Sequence, residues 1–304
     1  MADVHGFGDL RNNNTNSNRT YRALNDNQQS TQGTMGTFMN IRSTGDPRKE
    51  TFWTFLKTFM CPQLEFLSFT FIIILILTAI YIFTLCFGLE NDPKNNLLPP
   101  KQFILQYGTL LNSELKNSAI QTYRWISNSF LHANFLHLLS NCFSLLVFGT
   151  LTEKLLSTFK YSIVYIGSGI LGSLFSALVA LSGNNDNSVG ASICVYGVFG
   201  GFFAFCLLNW SKMTELFGPM GKCLMFYLLI IFVFVMTVYQ FREPSINVYG
   251  HLGGLICGFM ITCVICPPDN ENLSALCKYK LWRNISGGIL AVFTVAGFLF
   301  FYLW

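Results

Sequence analysis

Charge is what this chain has least of. Asp, Glu, Lys and Arg make up 11% of its 304 residues, whereas hydrophobic residues make up 52% and aromatic residues 16%. Globular proteins usually carry about 25% charged residues, so the composition argues against an ordinary soluble domain. The formal net charge of +4 is accounted for by basic residues that flank the apolar runs. It does not indicate a nucleic-acid partner.

Acidic residues are missing from the apolar segments. Seven of these segments approach or reach the ~20 residues of a membrane-spanning helix, and none contains Asp or Glu. This absence argues against a complete Ser-His-Asp triad in the spans and against a transporter with charges at the bilayer midplane. The predicted fold class is an all-α polytopic membrane protein. Its predicted spans are Phe66–Phe87, Phe135–Leu151, Tyr161–Ser182, Ile193–Trp210, Cys223–Tyr239, Val248–Cys266 and Gly287–Trp304.

Disulfides and metal sites are also hard to assemble from this sequence. The ten cysteines are scattered through or beside the predicted spans, and the long outer loop at 88–130 contains none. A disulfide framework is therefore not expected. Cys263 and Cys266 have the C-x-x-C spacing but lack a second ligand pair, so we predict no metal site and no cofactor.

The distribution of polar and basic residues predicts the organisation of the chain. Residues 1–60 are rich in Asn, Thr, Ser and Gln, a composition typical of a disordered tail. Placing this tail in the cytosol leaves ten basic residues near the spans on that side and five outside, as the positive-inside rule favours. The prediction is a cytosolic tail (1–60), a six-span core with a long first outer loop (61–270), and a cytosolic loop with a seventh span (271–304).

A serine and a histidine stand out among the polar residues of these spans. Ser192 lies in Gly190-Ala191-Ser192 at the start of the fourth span, and His251 lies in Gly250-His251-Leu252-Gly253-Gly254 in the sixth. An ionisable side chain at membrane depth indicates a functional site. A serine and a histidine from neighbouring helices are the minimum parts for nucleophilic catalysis.

A second polar cluster opens the second span. His132, His137 and Asn141 follow one another at spacings of five and four residues, and residues four apart share one face of a helix. His137 and Asn141 can both donate hydrogen bonds, which is what stabilising an oxyanion requires. Taken alone, the pair could equally join two helices.

The order of these motifs resembles the rhomboid family of intramembrane serine proteases. The resemblance implies a rhomboid-like helical bundle in which Ser192 is the nucleophile, His251 the general base, and His137 and Asn141 line the oxyanion hole. Supporting roles are implied for three further residues: His132 shapes the first loop, Tyr196 stacks on the catalytic histidine, and Arg124 of Tyr123-Arg124 orders the loop. The family usually has Trp where this chain has Tyr123.

One departure lies beside the nucleophile. The family usually reads Gly-x-Ser-Gly, but Ile193 follows Ser192 here. The branched side chain could crowd the serine, or a locally adapted pocket could accommodate it. The first case predicts that Ile193→Gly raises activity, and the second predicts that it lowers stability through the void it leaves.

The resemblance implies a serine endopeptidase that cuts other membrane proteins in or near their transmembrane segments. Its partners would be these substrates and the lipid bilayer. The alternative is a rhomboid-like pseudoprotease that binds membrane-protein clients. A seventh span after the core resembles secretase-type rhomboids of the eukaryotic secretory pathway, and the tail's acidic residues are untypical of mitochondrial transit peptides. The endomembrane system or plasma membrane is therefore favoured over the mitochondrion.

Overall fold

A computed structural model describes residues 67–90, 97–181, 188–240, 247–267 and 273–304. The predicted tail at 1–60 lies outside these residues. Within them the structure is helical, and extended pairing is limited to one bridge between Leu110 and Ser188. The all-α fold class is thereby confirmed.

Ten α-helices can be named in chain order. Three short ones lie in the first loop, together with a 3₁₀ turn at Ala119–Tyr123. The bounds are α1 Phe69–Leu85, α2 Lys101–Tyr107, α3 Asn112–Asn117, α4 Arg124–Ser127, α5 Phe135–Leu156, α6 Thr158–Ala180, α7 Ser192–Leu208, α8 Trp210–Gln240, α9 Val248–Ile265 and α10 Leu273–Leu303.

Each of the seven predicted spans overlaps one of the longer helices, although the predicted fourth span, Ile193–Trp210, runs past the end of α7. Among the described helices, α5, α6, α9 and the Tyr279–Leu303 part of α10 are long and apolar enough to cross a membrane. The apolar helices α1 and α7 have 17 residues each. The number of helices that actually cross the bilayer remains a prediction.

Short polar side chains start three of these helices. Ser68 accepts from the Phe71 amide at α1, Asn134 from the His137 amide at α5, and Asn247 from the Gly250 amide at α9. The first turn of a helix has N–H groups without an intrahelical acceptor, and Ser and Asn are among the best residues to satisfy them. The cap at Asn247 sets the start of α9 at Val248, three residues before His251.

α5 corrects the expectation that acidic residues are absent from the spans. The predicted span ended at Leu151, but the helix continues to Leu156 through a π-helical stretch at Leu145–Gly149 and includes Glu153. The Glu153 carboxylate accepts from the amides of Phe69 and Thr70, the Thr70 hydroxyl and the Thr158 hydroxyl. The buried charge therefore caps α1 and joins it to α5 and α6.

α8 contains a break that the predicted span did not include. Gly218 has φ 73° and ψ 168°, a conformation outside the helical region, and Pro219 follows it. Proline cannot donate a helical hydrogen bond, and breaks of this kind separate two helical segments. The predicted fifth span, Cys223–Tyr239, lies wholly in the segment after the break.

α7 packs against both α6 and α9, and these two helices also touch each other, with Gly172 against the backbone of Gly254. Thirteen of the 17 residues of α7 are buried, from Ile193 to Cys206. α10 packs on the outer side of α6, where Gly297 lies against Leu174 and Leu178. This arrangement brings the N-terminal ends of α7 and α9 together.

Candidate active site

Ser192 and His251 meet where α7 and α9 begin. Ser192 is the first residue of α7, and His251 lies in the first turn of α9. Ser192 Oγ is 2.6 Å from His251 Nε2, so the hydroxyl can donate to an unprotonated ring nitrogen. His251 is buried and Ser192 is partly exposed. A serine hydroxyl bonded to an imidazole is the usual arrangement of an activated nucleophile.

Tyr196 fixes the plane of the His251 ring. It lies one helical turn after Ser192 on α7, and its ring stacks on the imidazole with centroids 4.5 Å apart and planes 4° apart. Both residues are 6% exposed. Stacking restricts rotation of the imidazole and keeps Nε2 in reach of the serine.

Glycines allow the backbones of α7 and α9 to touch. A Cβ atom on Gly258 would lie 2.0 Å from the Gly197 carbonyl oxygen, and one on Gly254 would lie 2.3 Å from the Ile193 carbonyl oxygen. A Cβ on Gly200 would lie 2.0 Å from the Leu255 oxygen. Side chains at these positions would separate the helices. Because Ser192 and His251 sit on different helices, their hydrogen bond depends on this close contact.

His132 connects α5 to the loop that carries the serine. Its Nε2 lies 3.0 Å from Asn141 Nδ2 and accepts from the Ala191 amide at 3.4 Å. The amide of Ala191 can only donate, so Nε2 acts as the acceptor. Ala191 immediately precedes Ser192. His132 therefore connects Asn141, the predicted oxyanion side chain, to the peptide before the nucleophile.

His137 lies against Gly190 on the same loop. A Cβ on Gly190 would fall 2.4 Å from His137 Cε1, and the glycine has φ +121°, a value that other residues rarely adopt. Gly190 therefore serves two needs at once, the backbone conformation and the close approach of the ring. The structure thus gathers His132, His137 and Asn141 beside residues 190–192.

Comparisons with known proteins agree with this geometry. A family model of the rhomboid domain matches residues 119–268. Rhomboid-like protease 1 of Toxoplasma gondii is 30% identical over 223 residues, which cover 73% of this chain and 71% of that protein. This chain belongs to the rhomboid family.

Two plant relatives show how far the similarity extends. RHOMBOID-like protein 4 of Arabidopsis thaliana is 27% identical over 221 residues, which cover 70% of this chain and 54% of that protein. RHOMBOID-like protein 6, mitochondrial, from the same plant is 26% identical over 183 residues, 59% of this chain and 55% of that protein. The family and the apolar helices make this rhomboid an integral membrane protein.

Ile193 occupies a pocket built from glycines of neighbouring helices. The side chain is 1% exposed. Cβ atoms built on Gly172 and Gly250 would lie 2.6 Å from Ile193 Cγ2 and 2.8 Å from Cδ1, respectively, and one on Gly254 would lie 3.2 Å from Cγ2. The branched side chain thus fills the space that these glycines leave open, which is the accommodated alternative of the two sequence expectations.

Arg124 orders the first loop of the rhomboid core. Its guanidinium donates to the carbonyl oxygens of Leu105, Gln106 and Thr109 at 2.7–2.9 Å, and to the Gln121 side chain at 2.7 Å. The residue is 2% exposed. Hydrogen bonds from a charged donor are stronger than neutral ones, so one side chain holds the turn at the end of α2.

Two site residues were not found by sequence reasoning. Asn128 is buried, and its carbonyl oxygen accepts from the Gly190 amide at 2.7 Å. Asn247 donates to the Ser176 hydroxyl at 2.6 Å while it caps α9. An asparagine just before a helix is a recognisable cap signal, so Asn247 was within reach of the sequence. Asn128 carries no such signal, because its contact is made by the main chain.

Proposed function

We propose that this rhomboid is an intramembrane serine endopeptidase that uses Ser192 and His251 as a catalytic dyad. The observation that carries the proposal is the 2.6 Å contact between Ser192 Oγ and His251 Nε2. Glu153, which is buried in α5, bonds to α1 and α6 and is thereby engaged away from His251. Glu153 is therefore not proposed as a member of the catalytic site.

In the proposed reaction, Ser192 Oγ attacks the carbonyl carbon of a substrate peptide bond while His251 Nε2 takes the hydroxyl proton. The same proton then passes from Nε2 to the leaving amine, which leaves an acyl ester on Ser192. Water then attacks the ester carbon while His251 Nε2 takes one of its protons, and this proton passes to Ser192 Oγ as the C–O bond breaks, which releases the carboxylic acid product and regenerates the serine. The stacked Tyr196 ring keeps the imidazole oriented through both steps.

The oxyanion of the tetrahedral intermediate would form at the N-terminus of α7. The first N–H groups of a helix lack intrahelical acceptors, and the helix dipole favours negative charge there. His137 and Asn141 are proposed to add side-chain donors from α5. The loop at residues 188–191 precedes the helix and is bonded to Leu110, Asn128 and His132.

The proposed domain organisation assigns catalysis to residues 61–270, with 271–304 as an added loop and helix. The proposed substrates are single-pass membrane proteins cut near the outer end of their transmembrane segments. The proposed location is the endomembrane system or plasma membrane. The alternative, a pseudoprotease that only binds clients, is less well supported because both the serine and the histidine are present and in contact.

Labelling with a fluorophosphonate tests the proposal without knowledge of the substrate. We expect wild-type protein to be labelled at Ser192, because the reagent reacts with activated serines. Ser192→Ala should abolish labelling, and His251→Ala should lower its rate by about 10³-fold or more, since dyad members act as a unit. Cleavage of a model transmembrane substrate should fall in parallel.

Ser162→Ala is the matched control, because Ser162 lies on α6 and its hydroxyl donates to the helix's own Phe159 carbonyl. This variant should be labelled as wild type is. Equal labelling of wild type and folded Ser192→Ala would show that the reagent reacts elsewhere. Wild-type protein that is folded and unlabelled would support the pseudoprotease alternative.

A further inference from the structure

The C-terminal end of α10 carries aromatic side chains that pack on the first loop. Phe301 is fully buried and belongs to one apolar cluster with Leu110, Leu115 and Trp125 of the first loop. The cluster also includes Leu174 and Ala177 of α6. An added helix that only anchored the chain in lipid would not need this contact.

Trp125 of the first loop contacts three aromatic residues at the end of α10. Its ring meets Phe298 and Phe301 edge to face, each with centroids 5.2 Å apart. Its Nε1 donates to the Tyr302 hydroxyl at 3.0 Å. Edge-to-face pairs and a satisfied indole N–H are favourable arrangements for buried aromatic residues. We call Phe298, Phe301 and Tyr302 the aromatic clamp.

The loop held by the clamp is bonded directly to the segment before Ser192. The Leu110 amide donates to the Ser188 carbonyl at 2.9 Å, and the Ser188 amide donates back at 3.4 Å. Asn128, three residues after Trp125, accepts from the Gly190 amide at 2.7 Å. Two hydrogen-bonded attachments therefore join the clamped loop to residues 188–190.

We propose that the aromatic clamp positions residues 188–191, the segment that leads into Ser192. The clamp of α10 holds the first loop, and the first loop holds Ser188 and Gly190, which lie four and two residues before Ser192. The inference deepens the proposed function and rests on it for its catalytic consequence. Phe298, Phe301 and Tyr302 are positioning residues, since they act through Leu110, Trp125 and Asn128. A displacement of about 1 Å at a reacting group can cost a large part of the rate.

Neighbouring positions on α10 supply a matched control. Phe300 and Phe301 are the same residue type in the same turn, but Phe300 is 50% exposed whereas Phe301 is fully buried. Phe300 stacks on the exposed Trp304, away from the first loop. Phe301→Ala removes the fully buried member of the clamp, and Phe300→Ala removes an equal volume from the exposed face.

Two measurements on the full-length protein in lipid nanodiscs test the clamp. Amide hydrogen exchange of peptides covering 108–112 and 188–192 should be about 10-fold faster in Phe301→Ala and unchanged in Phe300→Ala, because local opening exposes the Leu110 and Gly190 amides. The fluorophosphonate labelling rate of Ser192, measured well below the melting temperature, should fall about 10-fold in Phe301→Ala and stay unchanged in Phe300→Ala. Tyr302→Phe, which removes only the acceptor of the Trp125 N–H, should show smaller changes in the same direction.

The outcomes separate the clamp from the proposed function. If Phe301→Ala speeds amide exchange at 188–192 but the folded wild-type protein is not labelled by the fluorophosphonate, the positioning role is supported and the protease proposal is overturned. A Phe301→Ala protein with a lower melting temperature but wild-type exchange and labelling overturns the clamp, since α10 would then stabilise the bundle without reaching the loop. If Phe301→Ala does not fold, unchanged exchange and labelling in Tyr302→Phe overturns it instead.

Discussion

α7 and α10 each contain three glycines in an apolar helix, but only in α7 do all three lie in very close contact with a neighbouring element. A Cβ on Gly197, Gly200 or Gly201 of α7 would meet a neighbouring atom at 1.7, 2.0 or 2.9 Å. On α10, a Cβ on Gly297 would meet the Leu174 side chain at 3.0 Å, one on Gly287 would meet its nearest neighbour at 3.7 Å, and one on Gly288 would meet nothing within 4 Å. Glycine content alone therefore does not reveal which apolar helix is packed on protein.

The difference follows from what each helix faces. α7 is packed on α6 and α9, and thirteen of its 17 residues are buried. In α10, by contrast, only 17% of the most apolar stretch is buried. Lipid is as apolar as a leucine side chain, so helices in a membrane associate through close packing and hydrogen bonds, not through removal of water. α7 gains this packing from backbone contact, whereas α10 gains it from the aromatic side chains at its C-terminal end.

The largest expected effect comes from adding one methyl group to α9 where its backbone touches α7. In Gly258→Ala the new Cβ would lie 2.0 Å from the Gly197 carbonyl oxygen, and the two backbones would have to separate. We expect a loss of about 3 kcal/mol or more in the free energy of unfolding, at the upper end for overpacked cores. Thermal melting in a mild detergent measures the loss, and Ser192 labelling should fall with it.

Gly288→Ala is the counterpart on α10. The position is exposed and open, and alanine is the better helix former, so the melting temperature should stay the same or rise slightly. A similar loss of stability in both variants would contradict the comparison, because α10 would then be packed at Gly288 as tightly as α7 is packed on α9.

The second expected effect is that of Ile193→Gly. The substitution empties the pocket between Gly172, Gly250 and Gly254, so the neighbouring helices lose van der Waals contacts. We expect a loss of roughly 2–5 kcal/mol, as for other large-to-small changes in cores, with no gain in labelling rate. Thermal melting and labelling of the same preparation check both parts.

Ile193→Val grades this prediction. It removes the Cδ1 atom that faces Gly250 and should cost about 0.5–1.5 kcal/mol. If Ile193→Gly instead raised the labelling rate at unchanged stability, the side chain would crowd the serine after all.

How much of this could be predicted from the sequence depends on the kind of contact. Long apolar runs locate α1, α5, α6, α7, α9 and α10, because hydrophobicity and length are local properties. The pairing of Ser192 with His251 was suggested by motif order, and the structure places the two side chains in contact. The predicted second span stopped at Leu151, before Glu153, because the groups that bond this carboxylate lie on α1 and α6, far away in the sequence or beyond the end of α5.

Contacts made by the main chain or by distant side chains were beyond the sequence. The bond between Asn128 and Gly190 uses a carbonyl oxygen, which every residue has. The contact between Trp125 and Tyr302 joins residues 177 positions apart, and no local spacing indicates it. The aromatic residues at the end of α10 look like an ordinary interfacial belt until the burial of Phe301 is known.

The smallest expected effect is that no N-linked glycan is added, which tests on which side of the membrane α7 ends and α10 begins. Asn-x-Ser/Thr sequons occur at Asn13, Asn18, Asn209, Asn272 and Asn284. Asn209 is buried at the end of α7, whereas Asn284 is exposed on α10. With a cytosolic N-terminus, all five lie on the cytosolic side or at its edge, where glycans are not added. Glycosidase treatment should therefore leave the gel mobility of the protein unchanged.

Ala119→Thr provides the positive control, because it creates a sequon at Asn117, which is exposed at the end of α3 in the first loop. If the protein enters the secretory pathway with the proposed orientation, this variant should gain one glycan that the glycosidase removes. Asn284 is exposed, so only its side of the membrane would keep it free of a glycan. A glycan that maps to Asn284 in the wild-type protein would therefore invert the topology and move Ser192 to the cytosolic face. An Ala119→Thr protein without a glycan would contradict the secretory location, and the proposed substrates would then have to be sought in another membrane.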